Sequence, residues 1–485
     1  MHVQGLDDLA AATVAGDAAG LRNFAREHKS DAGYLDVAAN THGAEKGLLV
    51  YRALGRVGHA QPRVVEVGPG GGAAVSFLAA QLANDRKTDL DQARTVHLTL
   101  VEAPGVASQS LSTAAEEFNQ VGKCELRHGF AQDIGTLLAE PVDVISASAL
   151  LHEVYSYGGG YAGLHAMMRT LPTVLNPGGF FAYRDVYAID GPSLHERVIQ
   201  SYNSRAWLAF LRLFTPQYLA EGTHPYHRAD DELVARQNSR IVPVAELDPA
   251  TCAVITAPAG LFREIQRHYI TFRDHVWRSG ALGFTPVLDG NLAADWIDFR
   301  AGHKRVHYRL GDEVPWLTTS QRMMLAAMSE PYTDHHTIDS DIFDSVTDVA
   351  LLAFLDAAES VDAACRQVWE SWLLREGRET YAYMTLDGLL TAFVVHSAEA
   401  DTDTVLMPIQ AGDIARVDRH YYKRFLTKRL ANPLPDAKQL VLFRNMPRGD
   451  VAALRQAFDA VADRCGKPSL ARMYTAINKG DNWTS

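Results

Sequence analysis

Residues 64–72 read VVEVGPGGG, a run of β-formers that breaks into glycines and passes straight into the apolar, alanine-rich AAVSFLAAQLA. A glycine loop between a strand and a helix lets a ligand meet bare backbone, and the helix N-terminus favours negative charge. A dinucleotide pyrophosphate, a nucleoside triphosphate and an amino-acid carboxylate all suit such a loop. The spacing here is ExGxGxG, with Glu66 ahead of Gly68, Gly70 and Gly72, rather than GxGxxG. Beside a phosphate that carboxylate contributes little and can repel. A ligand carrying an ammonium group next to a carboxylate suits both Glu66 and the backbone N–H groups. A lone glycine loop has low specificity, so the strand ends that follow must support it.

Those strand ends carry the required polar groups. The run VHLTLVEA at 96–103 ends with Glu102, whose carboxylate can accept two hydrogen bonds from a ribose diol. Its interval from the glycine loop exceeds the usual ~20 residues, and the polar insertion NDRKTDLDQART accounts for most of the excess. The third run, CELRHGFA at 124–131, leads to Asp133, placed to accept a hydrogen bond from an adenine amino group. The fourth, VDVISAS at 142–148, leads into ALLHEV, and the fifth, GFFAYRDVY at 179–187, follows the helix and turn LPTVLNPGG.

Continuous apolar strands alternating with helices imply a parallel sheet covered on both faces, with ligands gathered at the carboxyl ends of its strands. The expected fold class is therefore α/β, a Rossmann-like doubly wound, mostly parallel sheet with an N-terminal helical segment and a second α/β domain. Residues 1–60 read as a helical cap, with Leu6, Leu9, Ala10 and Val14, then Leu21, Phe24 and Ala25, then Leu48, Leu49 and Ala53 at helical spacing. The sheet domain is expected from 61–190 plus 255–325. Its last helix would be FREIQRHYITFRDHVWRSG, and its last two strands the hairpin AADWIDFRAG and KRVHYRLG, turning at Gly302. Residues 191–254 read as an inserted helical lid or substrate-recognition region. The acidic stretch at 332–345 marks a boundary, and 330–485 reads as a C-terminal α/β domain with strands ETYAYMTL, LLTAFVVHS and QLVLFRN.

The glycine loop, the acidic second-strand end, the aspartate after the third strand and the PGG turn before the fifth occur in an order that resembles the class I S-adenosylmethionine-dependent methyltransferases. The resemblance covers about 62–190 well and 255–310 loosely. It implies S-adenosyl-L-methionine as cofactor, with Glu66, Gly68 and Gly70 facing its methionine portion, Glu102 its ribose hydroxyls and Asp133 its adenine. Pro69 within the loop and the long interval before Glu102 depart from the family pattern.

A sulfonium-bound methyl is electrophilic, so the enzyme implied must chiefly align a nucleophile with the carbon–sulfur bond. A base is needed only where that nucleophile holds a proton of high pKa. His152, with Glu153, follows the fourth strand and is the catalytic candidate; capping a helix or orienting substrate is the alternative. Tyr155 and Tyr157 can wall the sulfonium or substrate, or simply pack. Arg184 and Asp185, ending the fifth strand, can bind a polar substrate or form an ion pair. His224 and His227, and His335 and His336 with Asp334 and Asp339, match no standard zinc spacing, and no metal is expected. Arg263, Arg267 and Arg273 can face an acidic substrate or line a solvated helix face.

A chain of 485 residues, 47% apolar and 21% charged, is too long for one core, and two or three domains are expected. The net charge of −12 argues against broad capture of nucleic-acid backbone. The partner expected is a small-molecule or natural-product substrate, with no membrane; dimerisation through the C-terminal region is expected without a residue to carry it. Cys124, Cys252, Cys365 and Cys465 are scattered, which fits a reducing cytoplasm, and no basic leader or bilayer-length apolar run occurs. Transfer of an aminocarboxypropyl group from the same cofactor, noncatalytic cofactor binding in a scaffold, and nicotinamide oxidoreduction are the competing readings.

Overall fold

The computed structural model describes residues 43–88, 94–185, 193–221, 224–226, 233–287, 297–300, 303–316, 319–360, 362–413 and 439–478. They form two compact units. One draws on the chain up to Ser193 and again from Thr380; the other is built within Leu194–Glu379.

The first unit holds, in chain order, α1 (Gly43–Leu54), β1 (Arg63–Val67), α2 (Ala73–Thr88), β2 (Val96–Glu102), α3 (Gln109–Asn119), β3 (Gly122–His128), β4 (Val142–Ser148), α4 (Leu151–Tyr157), α5 (Tyr161–Val174) and β5 (Leu175–Asp185). After the second unit the chain returns with α6 (Leu386–Ser397), β6 (Thr404–Asp413), β7 (Gln439–Pro447), α7 (Val451–Val461) and α8 (Lys467–Ile477). The strands form one sheet in the order β6-β7-β5-β4-β1-β2-β3. Strands β1 to β5 run parallel, β7 lies antiparallel to β5, and β6 antiparallel to β7. This is a Rossmann-like doubly wound arrangement.

All seven residues of β4 are buried, as a central strand covered on both faces requires. Alternation along the strands divides the core. Val64, Leu98, Leu100 and Val144 pack with Leu49 and Ala53 of α1, Leu78 of α2 and Phe118 of α3. Val65, Val67, Ile145 and Phe181 join Leu164 and Met168 of α5 and Leu390 and Phe393 of α6 on the other face. At the amino ends of the strands, the Asp143 carboxylate accepts from the backbone N–H of Arg63 (2.8 Å), from Asn176 Nδ2 (2.9 Å) and from His59 Nε2 (3.0 Å). Burial pushes this carboxyl up, but the three donors overcome it and hold the group below its ordinary value. One side chain thus clamps the starts of β1, β4 and β5. The NPGG turn is the irregular start of β5, where a Cβ on Gly179 would lie 3.0 Å from the carbonyl oxygen of Asp143.

The strands completing this sheet are not those expected from 255–325. The hairpin of Ile297–Arg300 with His303–Leu310 does form, but it pairs onward with Phe284–Pro286 and His336–Asp339 in a sheet of the second unit. The edge of β5 is taken instead by β7, whose Leu442 and Phe443 alternate between the two halves of the core. The region 330–485 is accordingly not a separate domain. LLTAFVVHS, expected as a strand, lies in helix α6. Thr385 Oγ1 accepts from the N–H of Gly388 (3.0 Å), and the buried Leu389, Leu390, Phe393 and Val394 recur at helical spacing. ETYAYMTL forms no strand. Of the N-terminal helical segment, residues 43–54 are helical; Leu6, Leu9, Ala10, Val14, Leu21, Phe24 and Ala25 lie outside the described residues.

The second unit is mixed, with antiparallel sheets. Arg197–Tyr202, Ala253–Pro258, Val234–Gln237 and Arg240–Val242 make a four-stranded sheet, so the described residues of the expected helical lid hold the α-helix Arg205–Glu221 and the 3-10 turn Val244–Glu246 among strands. The expected boundary at 332–345 is continuous structure: His336–Asp339 pairs with His303–Leu310, and Asp339 accepts from the N–H of Asp341 (2.8 Å) to cap helix Ser340–Glu359. The core is aromatic, with Trp207 stacked on Tyr269 at 3.9 Å and Phe272 edge-on to Trp372 at 5.3 Å. No helix among the described residues is long and apolar enough to cross a membrane.

Phe443 is fully buried, with ring centroids 4.4 Å from Phe393 and 6.0 Å from Phe181. Phe443→Ala should cost about 3–5 kcal/mol in urea unfolding followed by circular dichroism. A loss below about 1 kcal/mol, within the range of surface changes, would contradict the place of β7 in this core.

Candidate functional site

The carboxyl ends of β1 to β5 share one edge of the sheet, and the polar residues singled out in the sequence gather along it. After β1 the chain turns through Gly68, Gly70 and Gly72, all at positive φ (66°, 56° and 82°). A Cβ on Gly68 would lie 2.9 Å from Leu150 Cδ1, so the side chain is excluded by packing as well as by conformation. At Gly70 a Cβ would meet nothing within 4 Å: the backbone there faces open space. The Gly70 N–H donates to Glu102 Oε2 (3.2 Å), while Glu102 Oε1 accepts from the N–H of Ala103 (2.8 Å). The loop and the end of β2 are thus one hydrogen-bonded piece around a buried carboxylate.

Glu66, in β1, is 5% exposed, hydrogen-bonded to Ser146 of β4 and under the field of Lys46. Burial raises its carboxyl to about 7, and Ser146 and Lys46 only partly offset this. After β3, Gly129 N–H donates to the carbonyl of Glu102 (3.0 Å), bringing the following turn alongside the end of β2. Asp133 is exposed at the end of the 3-10 turn Ala131–Asp133.

At the end of β4, Ala149 holds a φ of 55°, unusual for a residue with a Cβ, and its N–H donates to the carbonyl of Arg184 (2.8 Å). Helix α4 begins two residues later and aims His152 at Asp185, the last residue of β5. His152 Nδ1 lies 2.8 Å from Asp185 Oδ1, and the backbone N–H of His152 donates to Asp185 Oδ2 (3.2 Å). Both residues are buried. An ionised carboxylate at this distance accepts the hydrogen on Nδ1.

Tyr381 packs against this imidazole, with ring centroids 4.8 Å apart at 31°. Its place is set by a relay in which Thr380 N–H donates to Ser156 Oγ (2.8 Å) and Ser156 Oγ donates to the carbonyl of His152 (2.7 Å). No spacing rule could have exposed this, since 224 positions separate Ser156 from Thr380.

The structure therefore brings together Gly70 with Glu102, and His152 with Asp185. Arg184 is buried with Nη1 3.5 Å from Ser148 Oγ, and strand alternation sends it to the face opposite Asp185. Glu153 is half-buried in the first turn of α4. Tyr155 belongs to the core, stacked on Tyr383 at 5.3 Å and edge-on to Tyr161 at 5.1 Å, and Tyr157 is also buried. Tyr155 is thereby placed by packing.

The remaining polar motifs fall in the second unit. His224 stacks with Tyr218 (5.0 Å) and Tyr226 (4.7 Å), and His227 lies outside the described residues. His335 Nδ1 bonds Asp334 (2.9 Å), whose exposed carboxyl its partner His335 and then Arg309 hold below the ordinary range; His336 stacks on Tyr308. Helix Ala259–Arg278 does not present a solvated basic face: Arg263 is buried, and Arg273 pairs with Asp274 (2.9 Å) and Asp344 (3.1 Å).

No family model and no curated protein matches the chain. Solved structures with partial similarity include the CcbJ methyltransferase from Streptomyces caelestis, at 17% identity over 36% of this chain and 63% of that one, with a TM-score of 0.25. CalS10, an amino pentose methyltransferase from Micromonospora echinaspora, aligns at 17% identity over 33% and 56%, with a TM-score of 0.21. The N-methyltransferase NodS from Bradyrhizobium japonicum, in complex with S-adenosyl-L-homocysteine, aligns at 14% identity over 49% and 96%, with a TM-score of 0.24. The chain spans less than two thirds of the length of CcbJ and of CalS10.

Glu66 has a pH signature. Its folded pKa of about 7 lies above the ordinary 4.5, so the folded state binds the extra proton between these values and stability falls as pH rises through that window. Glu66→Gln should therefore stabilise the protein at pH 8, by on the order of 3 kcal/mol, and make little difference near pH 4. Thermal melts across that range check this; a gain independent of pH would contradict it.

Proposed function

We propose that the chain is an S-adenosylmethionine-dependent methyltransferase acting on a small molecule in the cytoplasm. The observation that supports this best is the joining of Gly70, with its open backbone, to Glu102 at the end of β2. An amino-acid cradle and a ribose acceptor then form one rigid element at the carboxyl edge of a parallel sheet, where ligands of such folds collect. The residues present fit the cofactor. Gly70 leaves room for the ligand, Glu102 offers a fixed carboxylate, and Glu66 stands two residues before the loop.

In this reading Glu66, Gly68 and Gly70 hold the methionine portion, Glu102 the ribose hydroxyls and Asp133 the adenine amino group. When bound, S-adenosylmethionine supplies an electrophilic methyl group on sulfonium. In the same reading His152, buried in the first turn of α4, and Glu153 beside it are the residues that act on the acceptor.

Isothermal titration should show binding of S-adenosylmethionine and S-adenosylhomocysteine and none of NAD. Glu102→Ala removes the proposed ribose acceptor and should weaken both by roughly 10–100-fold, the value of charge-assisted hydrogen bonds of about 1.5–3 kcal/mol. Unchanged affinity, or preference for NAD, would overturn the assignment.

A further inference from the structure

We propose that the stacked rings of His165 and His396 form an acid-sensitive latch between α5 and α6, which lets go when both rings carry a proton. The latch belongs to the first unit alone and holds whatever the site binds. His165 lies in the first half of α5 and His396 in the last turn of α6, with ring centroids 3.7 Å apart at an interplanar angle of 23°. Neutral imidazoles stack at that distance, whereas two imidazolium ions there repel. The charged groups facing His165 are His396, Arg169 one turn along α5, and Glu399 just beyond α6. Glu399 Oε2 lies 3.0 Å from His396 Nδ1 and accepts from Arg169 Nη1 at 3.3 Å. With both rings charged, three cations would share this one exposed carboxylate.

Burial, and after it the charges of His396 and Arg169, push the His165 ring down to about 4 against the smaller pull of Glu399. Between the ordinary 6.5 and that value the unfolded chain binds a proton that the folded chain refuses, so the latch is fully closed above 6.5 and weakens as pH falls toward 4. The two helices it joins carry one half of the core, Leu164 and Met168 from α5 and Leu390 and Phe393 from α6. One turn before His165, the Tyr161 hydroxyl donates to the carbonyl of Tyr383 (2.6 Å), in the segment that leads into α6 and sets Tyr381 against His152. Parting the helices at the histidine pair therefore loosens a segment beside the carboxyl edge of the sheet. Glu66 has the opposite pH sense over much of the same range, so only a comparison of variants isolates the latch.

The test uses the full chain, with His165→Leu and, to guard against misfolding, His165→Gln. Thermal melts at pH 7.5 and pH 5 should show the wild type losing about 3 °C more than either variant between the two values, whatever the variants cost through packing at both. Amide hydrogen exchange across α6, corrected for its intrinsic pH dependence, should quicken about 10-fold at pH 5 in the wild type and stay level in the variants. In the histidine-labelled wild type, the nuclear magnetic resonance signal that disappears in His165→Gln should not titrate above pH 5. A His165 ring that titrates near its ordinary 6.5, or variants whose melting points move in parallel with the wild type at both pH values, would overturn the proposal.

Discussion

The parallel pairing of β4 with β1 on one side and β5 on the other is the constraint from which the site follows. With Val67 opposite Ala147, and Ser148 opposite Arg184, the chain must leave all three strands at the same edge. The pairing of Val67 with Val101 adds the end of β2. Residues far apart in sequence, Gly70 and Glu102 or His152 and Asp185, come within hydrogen-bonding distance because the strands that carry them end together. At the opposite edge Asp143 holds the starts of the same three strands in register. A one-residue slip of β4 would turn every one of its side chains to the other face.

Polar groups inside this edge are held at some cost to stability. Glu66 is buried deeply enough that its carboxyl rises to about 7, and Ala149 holds a left-handed backbone ahead of α4. Strain and desolvation of this kind persist where surrounding packing over-determines them. Here the two faces of the sheet, with Phe118 and Leu78 on one side and Leu164 and Phe393 on the other, provide that packing. The antiparallel β7 extends both halves of the core beyond β5, so the C-terminal segment supports the site although it contributes no strand end to it.

Much of the edge was legible in the sequence, because it depends on local signals. Apolar runs at 63–67, 96–102 and 142–148 became strands, and the glycine loop fell between β1 and α2. The completion of the sheet was not legible, since periodicity specifies an element and says nothing about its partner. The hairpin at 297–310 formed as read yet belongs to another sheet, while β6 and β7 return from the far side of a whole unit. LLTAFVVHS misled because β-branched and aromatic residues favour strands, and burial against α5 together with the Thr385 cap overrode that preference. His152 and Asp185 were each visible as chemistry. Their partnership, and the role of Tyr381, emerged only once the strands were placed side by side.

The central claim is that the glycine loop and Glu102 together form the seat of S-adenosylmethionine. A crystal structure of the chain grown with S-adenosylhomocysteine tests it most directly. The account predicts the amino-acid end of the ligand against the open backbone at Gly70, and both ribose hydroxyls on the Glu102 carboxylate. Ligand density elsewhere on the chain, or a ribose that leaves Glu102 bonded only to Gly70 and Ala103, would contradict it.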